Sequence, residues 1–245
     1  SPRRPLQALE LLESRSLPSA VSFTGDLQTP GVLLIELSEP SASTLTVASQ
    51  VVSSGGSSFD AVRVTIDGKS WVARQDSSQQ LFTNLPVALV SRIVVVGDHR
   101  ANVVDLSGVT SRFGLQQSPS VDGQRAVPAT LDEAKDLGVA SYFGVIVNTF
   151  GGDDRVVGSP FHDWVNAGEG DDGVTVGDGN DDVMAGVGDD TVSGGVGKDR
   201  LDGGDGNDLM LGDLAMTRCW AGREPMCWSV ATEATSSTVA SEMIC

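Results

Sequence analysis

The chain has 245 residues and a formal net charge of −17, with 33 acidic against 16 basic side chains. That balance leaves no basic footprint for nucleic acid, and no apolar run approaches the ~20 residues that cross a membrane; neither nucleic-acid binding nor membrane insertion is expected. Aromatic residues are 5% of the chain and cysteines number three, which suits a thin core and leaves one cysteine over from any paired framework.

Residues 1–20, SPRRPLQALELLESRSLPSA, have a basic start and helical apolar spacing at Leu6, Leu9 and Leu12. The LELLESR run is similar to the N-terminal sorting segment of large bacterial surface proteins. An amphipathic helix or a simple leader fits the same residues equally well.

Residues 21–110 read as a β-rich N-terminal region. VLLIEL, TLTVASQVV, AVRVTI, SRIVVV and NVVDL are strand-like runs separated by Gly, Ser, Pro and Asp. Asp67-Gly68 between two of them is a hairpin signal. The stretch Gly97–Asp105 echoes a pattern found later in the chain, with Asn102 in an Asp slot, Val104 in an apolar slot and Arg100 in a glycine slot. It is expected to be a decayed coil that no longer binds metal and that caps the N-terminal end of a solenoid.

Residues 111–140 interrupt the strands. LQQSPSVDGQRAVP is a loop by composition, and Thr130–Gly138 forms a short helix with Thr130 as N-cap, Glu133 completing a capping box and Gly138 as stop. Tyr142–Val147 then supplies a strand.

Within residues 141–213, Thr149–Leu211 is a tandem repeat of nine residues. It reads TFGGDDRVV, GSPFHDWVN, AGEGDDGVT, VGDGNDDVM, AGVGDDTVS, GGVGKDRLD, GGDGNDLML. Position six is always Asp: Asp154, Asp163, Asp172, Asp181, Asp190, Asp199 and Asp208. Position eight is always apolar, and position four is Gly except at Phe161. From the third unit, positions two and four are both Gly: Gly168, Gly170, Gly177, Gly179, Gly186, Gly188, Gly195, Gly197, Gly204 and Gly206. These glycines suit a tight turn with bare carbonyls, and positions seven to nine a short strand with its middle residue inward.

This pattern resembles the calcium-binding nonapeptide family, the RTX repeats of secreted bacterial proteins. The resemblance implies an all-β chain with a parallel β-roll (β-solenoid) preceded by a β-rich region. It also implies Ca²⁺ held by the position-six carboxylates and the carbonyls of the glycines just named. Two units make one coil, so stacked coils align Asp154, Asp172, Asp190 and Asp208 on one edge and Asp163, Asp181 and Asp199 on the other. Neighbouring pairs offer three sites on the first edge and two on the second. Position five carries Asp153, Asp171, Asp189 and Asn207 on the first edge but His162, Asn180 and Lys198 on the second. The first edge is therefore expected to bind more tightly. Residues 149–213 hold 15 Asp and one Glu against Arg155, Lys198 and Arg200; such self-repulsion predicts an array disordered without calcium and folded with it.

Residues 214–245 form an irregular tail containing all three cysteines, Cys219, Cys227 and Cys245. Starting each codon on the last base of the one before turns Met216-Thr217 into a position-six Asp, Trp220-Ala221 into Gly and Met226–Ser229 into Val-Leu-Val, so the tail reads as frameshifted repeats.

There is no H-E-x-x-H or G-x-S-x-G motif, and no catalytic function is expected. The resemblance implies folding on Ca²⁺ after export, in a secreted, extracellular or cell-surface structural or adhesive protein whose surface or matrix partner is unknown. The alternative is a secretion and folding module of a longer secreted enzyme or toxin.

Overall fold

Alternating apolar residues in short runs bounded by Gly, Ser and Asp dictate strands that bury one face. A computed structural model describes residues 20–25, 30–37, 44–54, 56–75, 81–115, 144–212, 218–220 and 228–229. The strands are β1 (Ala20–Phe23), β2 (Gly31–Glu36), β3 (Thr44–Ser54), β4 (Ser57–Ile66), β5 (Lys69–Trp71), β6 (Ala73–Gln75), β7 (Leu81–Phe82), β8 (Val90–Val96), β9 (Val103–Gly108) and β10 (Val145–Asn148). The repeats supply β11 (Arg155–Val157), β12 (Asp163–Glu169), β13 (Gly173–Thr175), β14 (Asp182–Val187), β15 (Thr191–Gly195), β16 (Arg200–Asp205) and β17 (Leu209–Gly212); β18 (Arg218–Trp220) and β19 (Trp228–Ser229) follow.

They form two sheets, ordered β18-β16-β14-β12-β10-β8-β2-β1-β6-β7 and β19-β17-β15-β13-β11-β9-β3-β4-β5. From β8 onward the chain alternates between the sheets, one strand in each per coil; β2 and β3 stack on β8 and β9, and successive strands along these stacks are parallel. This is the parallel solenoid that the repeats imply, and it begins well before them.

The core is a pair of facing ladders. One runs Ile35, Val95, Val147, Val165, Val183, Leu201. The other runs Leu45, Val104, Val156, Val174, Val192, Met210. Every rung is buried. The position-eight residues thus form one continuous strip that extends unbroken into the N-terminal region.

The coil of β8 and β9 is a rung, with Val104 paired to Val156 as its slot requires. Its expected role as N-terminal cap is corrected: a further coil, β2 and β3, stacks beyond it. Closure comes from antiparallel strands, β1 on β2 and β4 on β3. The β4–β5 hairpin turns through Asp67 and Gly68, both at positive φ (49° and 74°). Phe23 and Phe82 meet edge to face at 5.5 Å beneath this end. Antiparallel hairpins can end a stack because they reverse the chain without starting another coil.

A second apolar cluster, Leu34, Val94, Ile146 and Trp164, lies on the opposite face of the first sheet from the core ladder and is also buried. The expected helix at Thr130–Gly138 and most of the 111–140 interruption lie outside the described residues. So does most of the tail, where β18 and β19 extend both sheets.

Candidate metal centre

Each coil turns through positions one to six of a unit. Gly186 and Gly188 sit at φ 124° and 145°, where L side chains rarely go. A Cβ on either would overlap the carbonyl oxygen of Gly168 or Gly170, one coil earlier. Gly204 and Gly206 stand in the same relation to Gly186 and Gly188, and Gly195 and Gly197 to Gly177 and Gly179. Bare α-carbons thus let the glycine carbonyls of successive coils stack in columns along both edges.

All seven position-six aspartates are buried beside these columns, none more than 5% exposed. In six of them, all but Asp163, one oxygen binds coils together. Oδ1 of Asp172 accepts the N–H of Asp154 at 2.8 Å, Oδ1 of Asp190 that of Asp172 at 2.8 Å, and Oδ1 of Asp208 that of Asp190 at 3.1 Å. On the other edge Oδ1 of Asp181 accepts from Asp163 at 2.8 Å and Oδ1 of Asp199 from Asp181 at 3.1 Å. Asp154 accepts from the N–H of Asn102 at 2.6 Å, which makes the β8–β9 coil part of the same column.

The other oxygen is left over. Oδ2 of Asp154, Asp172, Asp181, Asp190 and Asp208 is buried and has no hydrogen-bond partner. A buried carboxylate oxygen without a donor costs about 1–3 kcal/mol or more. Burial accordingly pushes the Asp154 and Asp190 carboxyls up to about 6 and Asp172 to about 7. Burial, followed by the charge of Asp163, carries Asp181 well above its usual value.

The donor set fits a hard cation. Carboxylate and carbonyl oxygens are what Ca²⁺ prefers, while zinc-type sites draw on Cys and His. Among the described residues no three His, Cys, Asp or Glu side chains group as a metal cluster. Beside each of these aspartates, the stacked glycine carbonyls are the other oxygens that line the edge.

Position five is an outer ladder of opposite polarity. Asp153 Oδ1 accepts the N–H of Asp171 at 3.1 Å, Asp171 Oδ1 that of Asp189 at 2.9 Å, and Asp189 Oδ1 that of Asn207 at 2.9 Å. The second edge substitutes a 3.4 Å contact of Asn180 Nδ2 with His162 Nε2, and Lys198 N–H to Asn180 Oδ1 at 2.9 Å.

Asp163 differs from its relatives. Its Oδ1 accepts the Ser159 hydroxyl and its Oδ2 the Ser159 N–H, both at 2.7 Å. Ser159 carries no motif of its own; its only trace in the sequence is that it fills a slot where later units have glycine.

The family model of the RTX calcium-binding nonapeptide repeat (four copies) matches residues 148–183 and again 175–210. No curated protein and no solved structure matches the chain. The matched family is a non-catalytic repeat. Stacked glycine carbonyls, a buried aspartate in every unit and the family match agree: residues 148–210 are an RTX-type calcium-binding nonapeptide repeat region.

Proposed function

We propose that Ca²⁺ is held on the first edge by Asp154, Asp172, Asp190 and Asp208 and on the second by Asp181 and Asp199. The carbonyls of Gly168, Gly170, Gly186, Gly188, Gly204 and Gly206, and of Gly177, Gly179, Gly195 and Gly197, complete the oxygen set. The observation that carries this is the repeated buried Oδ2 without a donor. Bound calcium supplies the positive charge that lets these carboxylates stay ionised while buried.

Ordering of the repeats beyond the turn at residues 158–163 is then coupled to the ion. Modules of this charge and openness belong where calcium is about 10⁻⁴–10⁻³ M, outside the cell. The protein works there as a structural or adhesive scaffold, with coils that stiffen on meeting calcium and that serve a surface or matrix partner. Calorimetric calcium titration of the whole chain, followed by circular dichroism, tests this. Several ions per chain and a gain of strand signal are expected; a calcium-stripped chain with full strand content and no heat of binding overturns it.

A further inference from the structure

We infer that the turn 158–163 closes without an ion, the Ser159 side chain and amide taking the place that a cation holds elsewhere in the array. This rests on the calcium reading above and defines where along the second edge that reading stops.

In the array a position-six carboxylate uses Oδ1 to accept an N–H from the preceding coil, while Oδ2 of Asp172, Asp181, Asp190 and Asp208 goes without a donor. Asp163 is built differently. Both its oxygens are satisfied inside its own turn, Oδ1 by the hydroxyl and Oδ2 by the N–H of Ser159. The hydroxyl oxygen also accepts the N–H of Phe161 at 3.2 Å, so one serine ties the turn three times. Asp163 and Ser159 are both buried, at 0% and 2% exposure.

The neighbouring slots explain why the later turns on this edge behave otherwise. Ser159 lies where Gly177 and Gly195 lie one and two coils later, and a glycine has no hydroxyl to offer. Phe161 lies where Gly179 and Gly197 lie, and its ring packs into the apolar core. A cation at Asp163 would have to displace two 2.7 Å hydrogen bonds in a turn already filled by a side chain.

The turn at residues 97–102, on the other edge, is also tied by its own side chain. The Asn102 amide nitrogen donates within its own turn to the carbonyl of Arg100, to the carbonyl of Asp98 at 3.5 Å and to Asp98 Oδ1 at 3.4 Å. These two turns, one on each edge, are thus tied by their own side chains. Strand β12, leading directly out of the Ser159 turn, offers a preformed edge onto which the ion-dependent coil β14 can pair.

The test counts bound calcium on the full-length chain by equilibrium dialysis. Asp163→Asn is expected to keep the wild-type number of ions, and Asp181→Asn to lose at least one. Loss of an ion in Asp163→Asn overturns the inference; retention of every ion in Asp181→Asn instead sinks the calcium assignment on this edge. Should Asp163→Asn not fold, amide exchange of the calcium-stripped wild type decides. The Ser159 amide is expected to exchange at least about tenfold more slowly than the Asp190 amide, which rests on an array carboxylate. Equal rates reject the metal-free closure.

Discussion

The backbone N–H of Asp154 ends on Oδ1 of Asp172, one coil away, at 2.8 Å, and Oδ2 of that same buried carboxylate receives nothing. One side chain therefore has two unlike oxygens: one that fastens coils to each other and one that is buried without a donor. The two can be separated. Asp172→Asn keeps the acceptor and removes the buried charge, so the calcium-stripped variant should melt above the calcium-stripped wild type, by an amount corresponding to about 1–3 kcal/mol. Its gain in midpoint on adding calcium should shrink. A variant that melts lower when stripped would show that the orphaned oxygen is not a burden.

The edges should differ in affinity. Asp153, Asp171 and Asp189 border the first edge with negative charge, whereas His162, Asn180 and Lys198 border the second. Asp190→Ala is therefore expected to weaken calcium binding more than Asp181→Ala. Calorimetric titration of both variants checks the order, and the reverse order rejects it.

Gly188 and Gly173 form a matched pair of glycine probes. Gly188 has φ 145° and no room for a Cβ beside the Gly170 carbonyl, while the nearest atom to a Cβ on Gly173 is the Asp154 carbonyl oxygen at 3.9 Å. Gly188→Ala should cost at least about 1–3 kcal/mol in the calcium-bound state. Gly173→Ala should stay within about 0.5 kcal/mol of wild type. Thermal or denaturant unfolding in millimolar calcium measures both.

Acid should act oppositely on the stripped and loaded forms. Burial raises Asp154 and Asp190 to about 6 and Asp172 to about 7, against a usual 3.8. The folded ion-free chain thus retains protons that the unfolded chain releases. That stability is fully present below the unfolded value and is lost as pH rises through the range of about 6 to 7. Calcium needs the ionised carboxylates, so its affinity should fall as pH drops through the same range. Resin-stripped protein should melt higher at pH ~4.5 than at pH ~7.5, and calcium titrations across that span should show the converse.

Calcium-free disorder should stop at the Ser159 turn. Leu33, Ile35, Leu45, Ile93, Val95 and Leu106 form a buried core in coils that, among the described residues, carry no orphaned Asp carboxylate. Amides of β2, β8 and β9 are expected to stay protected from exchange in the stripped protein while those of β15 and β17 exchange freely. Uniform exchange along the chain would refute this division.

Much of the site was readable from residue order because a solenoid is quasi-one-dimensional. With a nine-residue period, Asp172 has to lie beside Asp190, and Val174 beside Val192, whatever the rest of the chain does. The same regularity placed Asn102 and Val104 in a coil. Spacing could not reveal that Leu45 continues the Val104 ladder, because 59 residues separate them and no period connects them. Nor could it show that antiparallel β1 and β4, not the Gly97–Asp105 coil, close the stack.

The linear order of residues thus determined the period, the apolar strip and the rows of aspartate, since each depends only on neighbours a fixed number of positions apart. Three-dimensional packing decided which carboxylate oxygens are left without a donor and which, at Asp163, are already satisfied. That distinction depends on where a single hydroxyl comes to rest, and a serine in a glycine slot declares its hydrogen bonds only once the turn has closed around it.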